Sequence, residues 1–274
     1  PSHGIANISL TDGVCWAAKS RRAAVIILKE FNGLKTPRVQ ALSRLYSCYS
    51  LAMDDIRPPK LEVYRDETVA RDYDQRWSGA LGKKRDGRKA RAILKAFGIL
   101  KEHHGVSFQN ALDIPCGTGR FSDLFDAQGC HTIGADLSVE MLQQARAKHP
   151  QQDFLCADMG RLPFEDNAID VGVCIRMLHL VHSSELRISF LRELNRVCKF
   201  GAIIDYRHSH TVRILSRKLR YQLGAYKENP QLPSPRQIQL ELQQAGFRPL
   251  AKINVHFAPL LSDKLIFPVI PSDA

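Results

Sequence analysis

The stretch that most constrains this chain is Ala111-Leu112-Asp113-Ile114-Pro115-Cys116-Gly117-Thr118-Gly119-Arg120-Phe121. A short apolar run ends in a carboxylate, breaks at a proline and turns through two glycines into a predicted helix. This pattern describes a buried parallel strand feeding a tight loop, the position at which open α/β sheets bind nucleotides. Glycines there let the backbone turn sharply and let a ligand approach without interference from a Cβ.

The loop does not suit a dinucleotide. That ligand calls for G-x-G-x-x-G with its pyrophosphate on a helix N-terminus. The frame from Gly117 reaches Gly119 and then Ser122, and the frame from Pro115 reaches Gly117 and then Arg120. Asp113 at the strand end repels a pyrophosphate and attracts ammonium and sulfonium groups. S-adenosyl-L-methionine (SAM) carries both and has no phosphate. A second largely apolar run, His131 to Ala135, leads into Asp136, 23 positions after Asp113. An acid about 20 residues on, at the end of the second strand, is placed to hold ribose hydroxyls. Asp158 follows Phe154-Leu155-Cys156-Ala157 in the equivalent position.

With these residues the chain resembles the class I SAM-dependent methyltransferases, in particular their small-molecule branch. The resemblance rests on Leu112 to Gly119, on Gly134-Ala135-Asp136-Leu137-Ser138 with Met141-Leu142, on Ala157-Asp158-Met159 with Leu162-Pro163-Phe164, and on Asp170 to Cys174. It runs from about Val63 to the C-terminus and departs at Pro115, where the family usually has the first loop glycine. It implies a Rossmann-like, doubly wound α/β fold with a seven-stranded, mostly parallel sheet, and SAM as cofactor. The cofactor-binding residues it implies are Asp113, Pro115, Gly117, Gly119, Asp136, Leu137, Asp158 and Met159. Tyr73, in Ala70-Arg71-Asp72-Tyr73-Asp74-Gln75-Arg76-Trp77, matches a segment that folds over the cofactor in such enzymes.

Two regions follow from the order of signals. Residues 1–60 read as an N-terminal extension that Pro58-Pro59 closes, and 61–274 as the methyltransferase domain. Within the extension, Ala24 to Lys29 matches a kinase strand lysine only superficially, since no glycine-rich loop precedes it and no H-R-D or D-F-G follows. In the domain, Ser138, Ser183 and Ser234 are predicted helix N-caps, the last with Pro235 at the first helical position. Leu250 to Phe257 and Lys264 to Ile270 are predicted as the two closing strands.

The net charge of +11 points to an anionic partner or to solubility alone. Lys83 to Arg91 is a solvated helix face or a phosphate-contacting patch. No transmembrane segment is visible, because the Ala23 to Leu28 run ends at Lys29, far short of about 20 residues. The seven cysteines lack C-x-x-C and zinc spacing and read as buried side chains in a reducing, cytoplasmic setting. No metal-ligand pattern is present.

In-line methyl transfer needs positioning and exclusion of water more than a fixed triad. The strand-four end, Cys174 to His179, supplies His179 as a candidate general base and Arg176 as a candidate acceptor-binding residue. The basic connection Arg207 to Asn229 is the expected acceptor lid, with Arg217 and Arg220 as contacts. A small-molecule acceptor is the leading expectation. An RNA acceptor and a non-catalytic SAM-fold binding module are the alternatives.

Overall fold

In the computed structural model the described residues run from 67 to 272, except 226, 228, 230, 257 and 259–261. The predicted extension 1–60, Tyr226 of the expected lid and Phe257 of a predicted strand lie outside them. Helices α1 (Glu67–Asp72) and α2 (Gln75–Ser78) precede the long α3 (Ala80–His104). There follow β1 (Asn110–Asp113), α4 (Ser122–Asp126), β2 (His131–Asp136), α5 (Val139–Lys148), β3 (Asp153–Cys156) and β4 (Val171–Cys174). The chain continues with α6 (Ser184–Val197), β5 (Ala202–Arg207), α7 (Val212–Gln222), α8 (Pro235–Gln244), β6 (Phe247–Pro249), β7 (Ile253–Asn254) and β8 (Lys264–Pro271).

The strands form one sheet in the order β3-β2-β1-β4-β5-β8-β6, with β7 also pairing β8. Strands β1 to β5 pair in parallel, and β8 lies antiparallel to β5. Strand order reverses between β1 and β4, the switch point at which such sheets open a ligand crevice. Both faces are covered, so consecutive strand residues bury on opposite sides. Ala111, Val171, Val173, Ile203 and Ile266 pack with Ile93, Phe97 and Leu100 of α3. Leu112, Cys174, Ile204 and Phe267 pack on the other face with Leu191 and Leu194 of α6 and Leu242 of α8. That is why these strands read as continuous apolar runs.

The expected seven strands become eight segments. Within the predicted strand 250–257 only Ile253–Asn254 (β7) is a strand among the described residues, and β6 (Phe247–Pro249) precedes it; the two pair with different stretches of β8. The Arg120–Ala127 helix is shorter than predicted, at Ser122–Asp126. The three predicted serine caps are in place, accepting hydrogen bonds from Met141, Leu186 and Gln237 backbone N–H groups.

Candidate active site

The C-terminal ends of β1, β2 and β4 and the loop after β3 converge on a cleft enclosing about 1130 Å³, open to solvent. The loop after β1 forms its floor, entered through a cis Ile114–Pro115 peptide bond and turned by Gly117 (φ 56°) and Gly119 (φ 72°). A Cβ built on Gly117 would meet nothing within 4 Å, so the peptide there is bare toward incoming groups. Asp136 holds this loop from the side. Its Oδ2 accepts from the Gly117 N–H at 2.8 Å and its Oδ1 from the Ser138 N–H at 2.9 Å.

Asp113 is buried at 2% exposure and lines the cleft. Burial first, and the Asp136 charge second, push its carboxyl up to about 7. Asp136 is also raised, by burial, against the opposing pull of its backbone donors. A site that raises two neighbouring carboxyls favours a cationic occupant, which restores their charged forms. Leu137, Met141, Ala157 and Met159 give the cleft an apolar flank, and Asp158, whose Oδ1 accepts from the Gly160 N–H at 2.8 Å, stands beside it. Acids at one end and apolar walls beside them fit SAM: a sulfonium and ammonium toward the acids, a purine toward the flank. Every residue predicted for the cofactor lines this cleft except Gly119, which shapes the loop.

Tyr73 reaches the cleft because α1 and α2 are tied down onto the loop. Asp74 accepts from Thr118 Oγ1 at 2.8 Å and from Lys148 Nζ at 2.6 Å. Gly82 permits the close approach of α2 to α3, since a Cβ there would sit 2.4 Å from the Trp77 carbonyl oxygen. Trp77 then lies near two guanidinium groups, Arg120 at 4.3 Å and Arg176 at 4.0 Å from its ring centre. Arg120 also pairs with Asp86 of α3. Sequence reasoning missed Asp74 and Trp77 as site residues, although both stand in the quoted segment around Tyr73.

A second, smaller cavity of about 460 Å³ adjoins the cleft, sharing Phe121 and Arg176 with it. His179 lines this second cavity and not the cofactor cleft. Burial, then the Arg207 charge, lower its pKa to about 3. The expectation of a base poised near neutrality therefore loses its footing: the ring is neutral but a weak proton acceptor. Arg176 lines both cavities. Arg217 and Arg220 line neither cavity. They sit on α7, which buries only Ile214 and exposes Val212, Leu215 and Leu219.

The basic run Lys83 to Arg91 lies on α3, and it is not a uniform surface face. Lys89 turns inward at 6% exposure, and Arg85 lines the second cavity. Cys116 is buried against Leu142, Ala145 and Phe154, and burial pushes its thiol pKa well up, as befits a packing side chain. Among the described residues, no helix is long and apolar enough to cross a membrane.

A parallel sheet reversed at β1/β4, an antiparallel strand inserted beside β5, and acids at three successive strand ends define the class I methyltransferase fold. Comparisons with known proteins agree. Residues 112–204 match the family model described as a methyltransferase domain. The chain is 37% identical over 108 residues to a malonyl-[acyl-carrier protein] O-methyltransferase of Hamiltonella defensa, covering 39% of this chain and 41% of that protein. It is 31% identical over 152 residues to a demethylmenaquinone methyltransferase of Renibacterium salmoninarum, covering 56% and 60%. The chain thus spans about half the length of the curated relatives it matches.

Among solved structures, an S-adenosylmethionine-dependent methyltransferase from Clostridium acetobutylicum superposes with a TM-score of 0.56 at 15% identity, over 74% of this chain and 97% of that one. The magnesium protoporphyrin IX methyltransferase of Synechocystis with bound S-adenosylhomocysteine (SAH) gives 0.55 at 19% identity, over 76% and 100%. Residues 112–204 thus carry a methyltransferase domain, and the fold is that of the class I SAM-dependent methyltransferases.

Proposed function

We propose that this protein is an enzyme that transfers the methyl group of SAM to a small-molecule acceptor. The observation that carries the proposal is the cleft itself: a bare Gly117 peptide, Asp136 braced by two backbone donors, and a buried Asp113 that calls for a cationic ligand. Bound SAM would supply an activated methyl group. Asp136 would hold its ribose hydroxyls, Asp113 would face its positive groups, and Leu137, Asp158 and Met159 would bound its adenine.

The remaining work falls to this chain's own side chains. Tyr73, beside the pinned Asp74, closes on the cleft and helps exclude water, Trp77 walls the adjoining cavity, and Arg176 orients the acceptor at the end of β4. His179, lowered to about 3, is a weak general base, so an acceptor that needs little help from it fits best. Similarity to malonyl-[acyl-carrier protein] and demethylmenaquinone methyltransferases supports a small-molecule acceptor over RNA. The inward turn of Lys89 takes one cation away from any nucleic-acid footprint. The buried thiols Cys116, Cys130, Cys174 and Cys198 support a reducing, cytoplasmic setting.

The test is native mass spectrometry of the purified protein, followed by labelled methyl transfer from SAM to a panel of small acids and phenols. A copurified SAH and a labelled small product are expected. Label found only in total RNA would replace this reading with the nucleic-acid one.

A further inference from the structure

The second cavity is built from cations drawn from four separate elements. Lys89 comes from α3, Arg176 follows β4, Arg207 ends β5 and Lys264 opens β8, and His179 completes the wall. Some of this charge is compensated. Lys89 Nζ is held by Asp205 Oδ2 at 2.6 Å, with both side chains buried. Arg207 Nε pairs with Asp263 Oδ2 at 3.1 Å. Among the described residues Arg85, Arg176 and Lys264 have no carboxylate within 4 Å of their head groups, while the lining acids Asp86 and Asp205 are paired with Arg120 and Lys89, so three positive charges line the cavity in surplus.

The protein holds this arrangement at a cost. Arg176 is a non-glycine residue at φ 67°, a sparsely populated conformation, kept there by its N–H donating to Asp205 Oδ2 at 3.1 Å. Burial, then the neighbouring Lys89 and Arg207 charges, bring Lys264 down to about 8. Crowded, partly desolvated cations at a cavity wall are a functional-site signature, because an anion relieves what the apo protein bears. The cavity also meets the larger cleft at Arg176 and Phe121, so a molecule seated in it reaches the end of β4.

We propose that this cavity is the acceptor subsite, and that the acceptor is a small molecule anchored by a carboxylate or phosphate between Arg176 and Lys264. This rests on the methyltransferase reading for the word acceptor, whereas the anion site itself stands on its own geometry.

The test is calorimetric titration of the full chain, saturated with SAH, using L-malate as the carboxylate probe and inorganic phosphate as the phosphate probe. At least one of the two should bind, and the tighter one identifies the anchoring group. Lys264→Met and Arg176→Gln should each weaken that probe about tenfold or more. Lys264→Arg should keep its affinity within about threefold, and the double variant Arg217→Gln/Arg220→Gln on α7 should leave it unchanged. SAH affinity is measured on every sample. Loss of SAH binding with anion binding intact would remove the methyltransferase reading and leave the anion site. Absence of binding by both probes, or losses confined to the α7 variant, would overturn the proposal. The wild-type titrations decide even if a single variant fails to fold.

Discussion

Asp136 offers the sharpest perturbation, because the structure gives it two tasks that one substitution separates. Its carboxylate accepts from Gly117 and Ser138 N–H groups at 2.8 and 2.9 Å. A hydrogen bond to a charged group contributes about 1.5–3 kcal/mol. Asp136→Ala removes both and leaves two donors to find water in a tight loop, at a gross cost of about 3–6 kcal/mol. Recovery of the carboxylate's own burial penalty, seen in its raised pKa, lowers the net loss to about 2–4 kcal/mol. That is a large share of a typical domain stability of about 5–15 kcal/mol. Asp136→Ala therefore confounds folding with binding.

Asp136→Asn keeps the shape and one acceptor, so stability should fall by only about 1–2 kcal/mol. The charge-assisted contact to a ribose hydroxyl is lost, and SAH affinity should fall by about 10- to 150-fold, the equivalent of about 1.5–3 kcal/mol. Thermal melting and calorimetry with SAH on the same samples separate the two effects. An asparagine variant that melts and binds like the wild type would refute the reasoning about this residue.

Three further outcomes are expected. With Asp113 neutral below its pKa of about 7 and charged above it, affinity for a cationic ligand should rise with pH through about 7 and level off. Asp113→Asn should flatten that dependence, and a wild-type titration flat from pH 5.5 to 8.5 would count against the assigned burial. Asp74→Ala leaves the buried Thr118 hydroxyl without its acceptor and frees α1 and α2. Hydrogen exchange across residues 67–79 should rise while β1 and β4 stay protected, and an unchanged exchange pattern would sink the lid account. Cys116→Ala should keep methyl transfer within about tenfold, about 1.4 kcal/mol of barrier, whereas total inactivity with intact SAH binding would give the thiol a chemical role.

What could be read from the sequence was local. Asp113 to Gly119 announces its loop because proline, glycines and a strand-end acid act within a few residues of one another. Asp136 and Asp158 are legible from spacing alone, since each parallel strand and its helix consume a similar length of chain. The second cavity is assembled by topology instead. Lys89 meets Asp205 across 116 positions, and Lys264 arrives only because β8 runs antiparallel beside β5. Trp77 meets Arg120 and Arg176 only after α2 folds back over the sheet. Reading Lys83 to Arg91 as one face failed for a related reason, since a helix turns some of its cations inward wherever a buried carboxylate awaits. The lid arginines Arg217 and Arg220 were placed by their position after β5, and no local signal shows that α7 leaves both cavities uncovered.

The central claim is that the cleft above Asp113 is made for SAM and not for a pyrophosphate-bearing cofactor. Parallel calorimetric titrations of the purified chain with SAM and with NAD test it most directly. SAM should bind with an affinity that Asp136→Asn reduces, and NAD should give no saturable heat. Saturable NAD binding with none for SAM would contradict the account at its root.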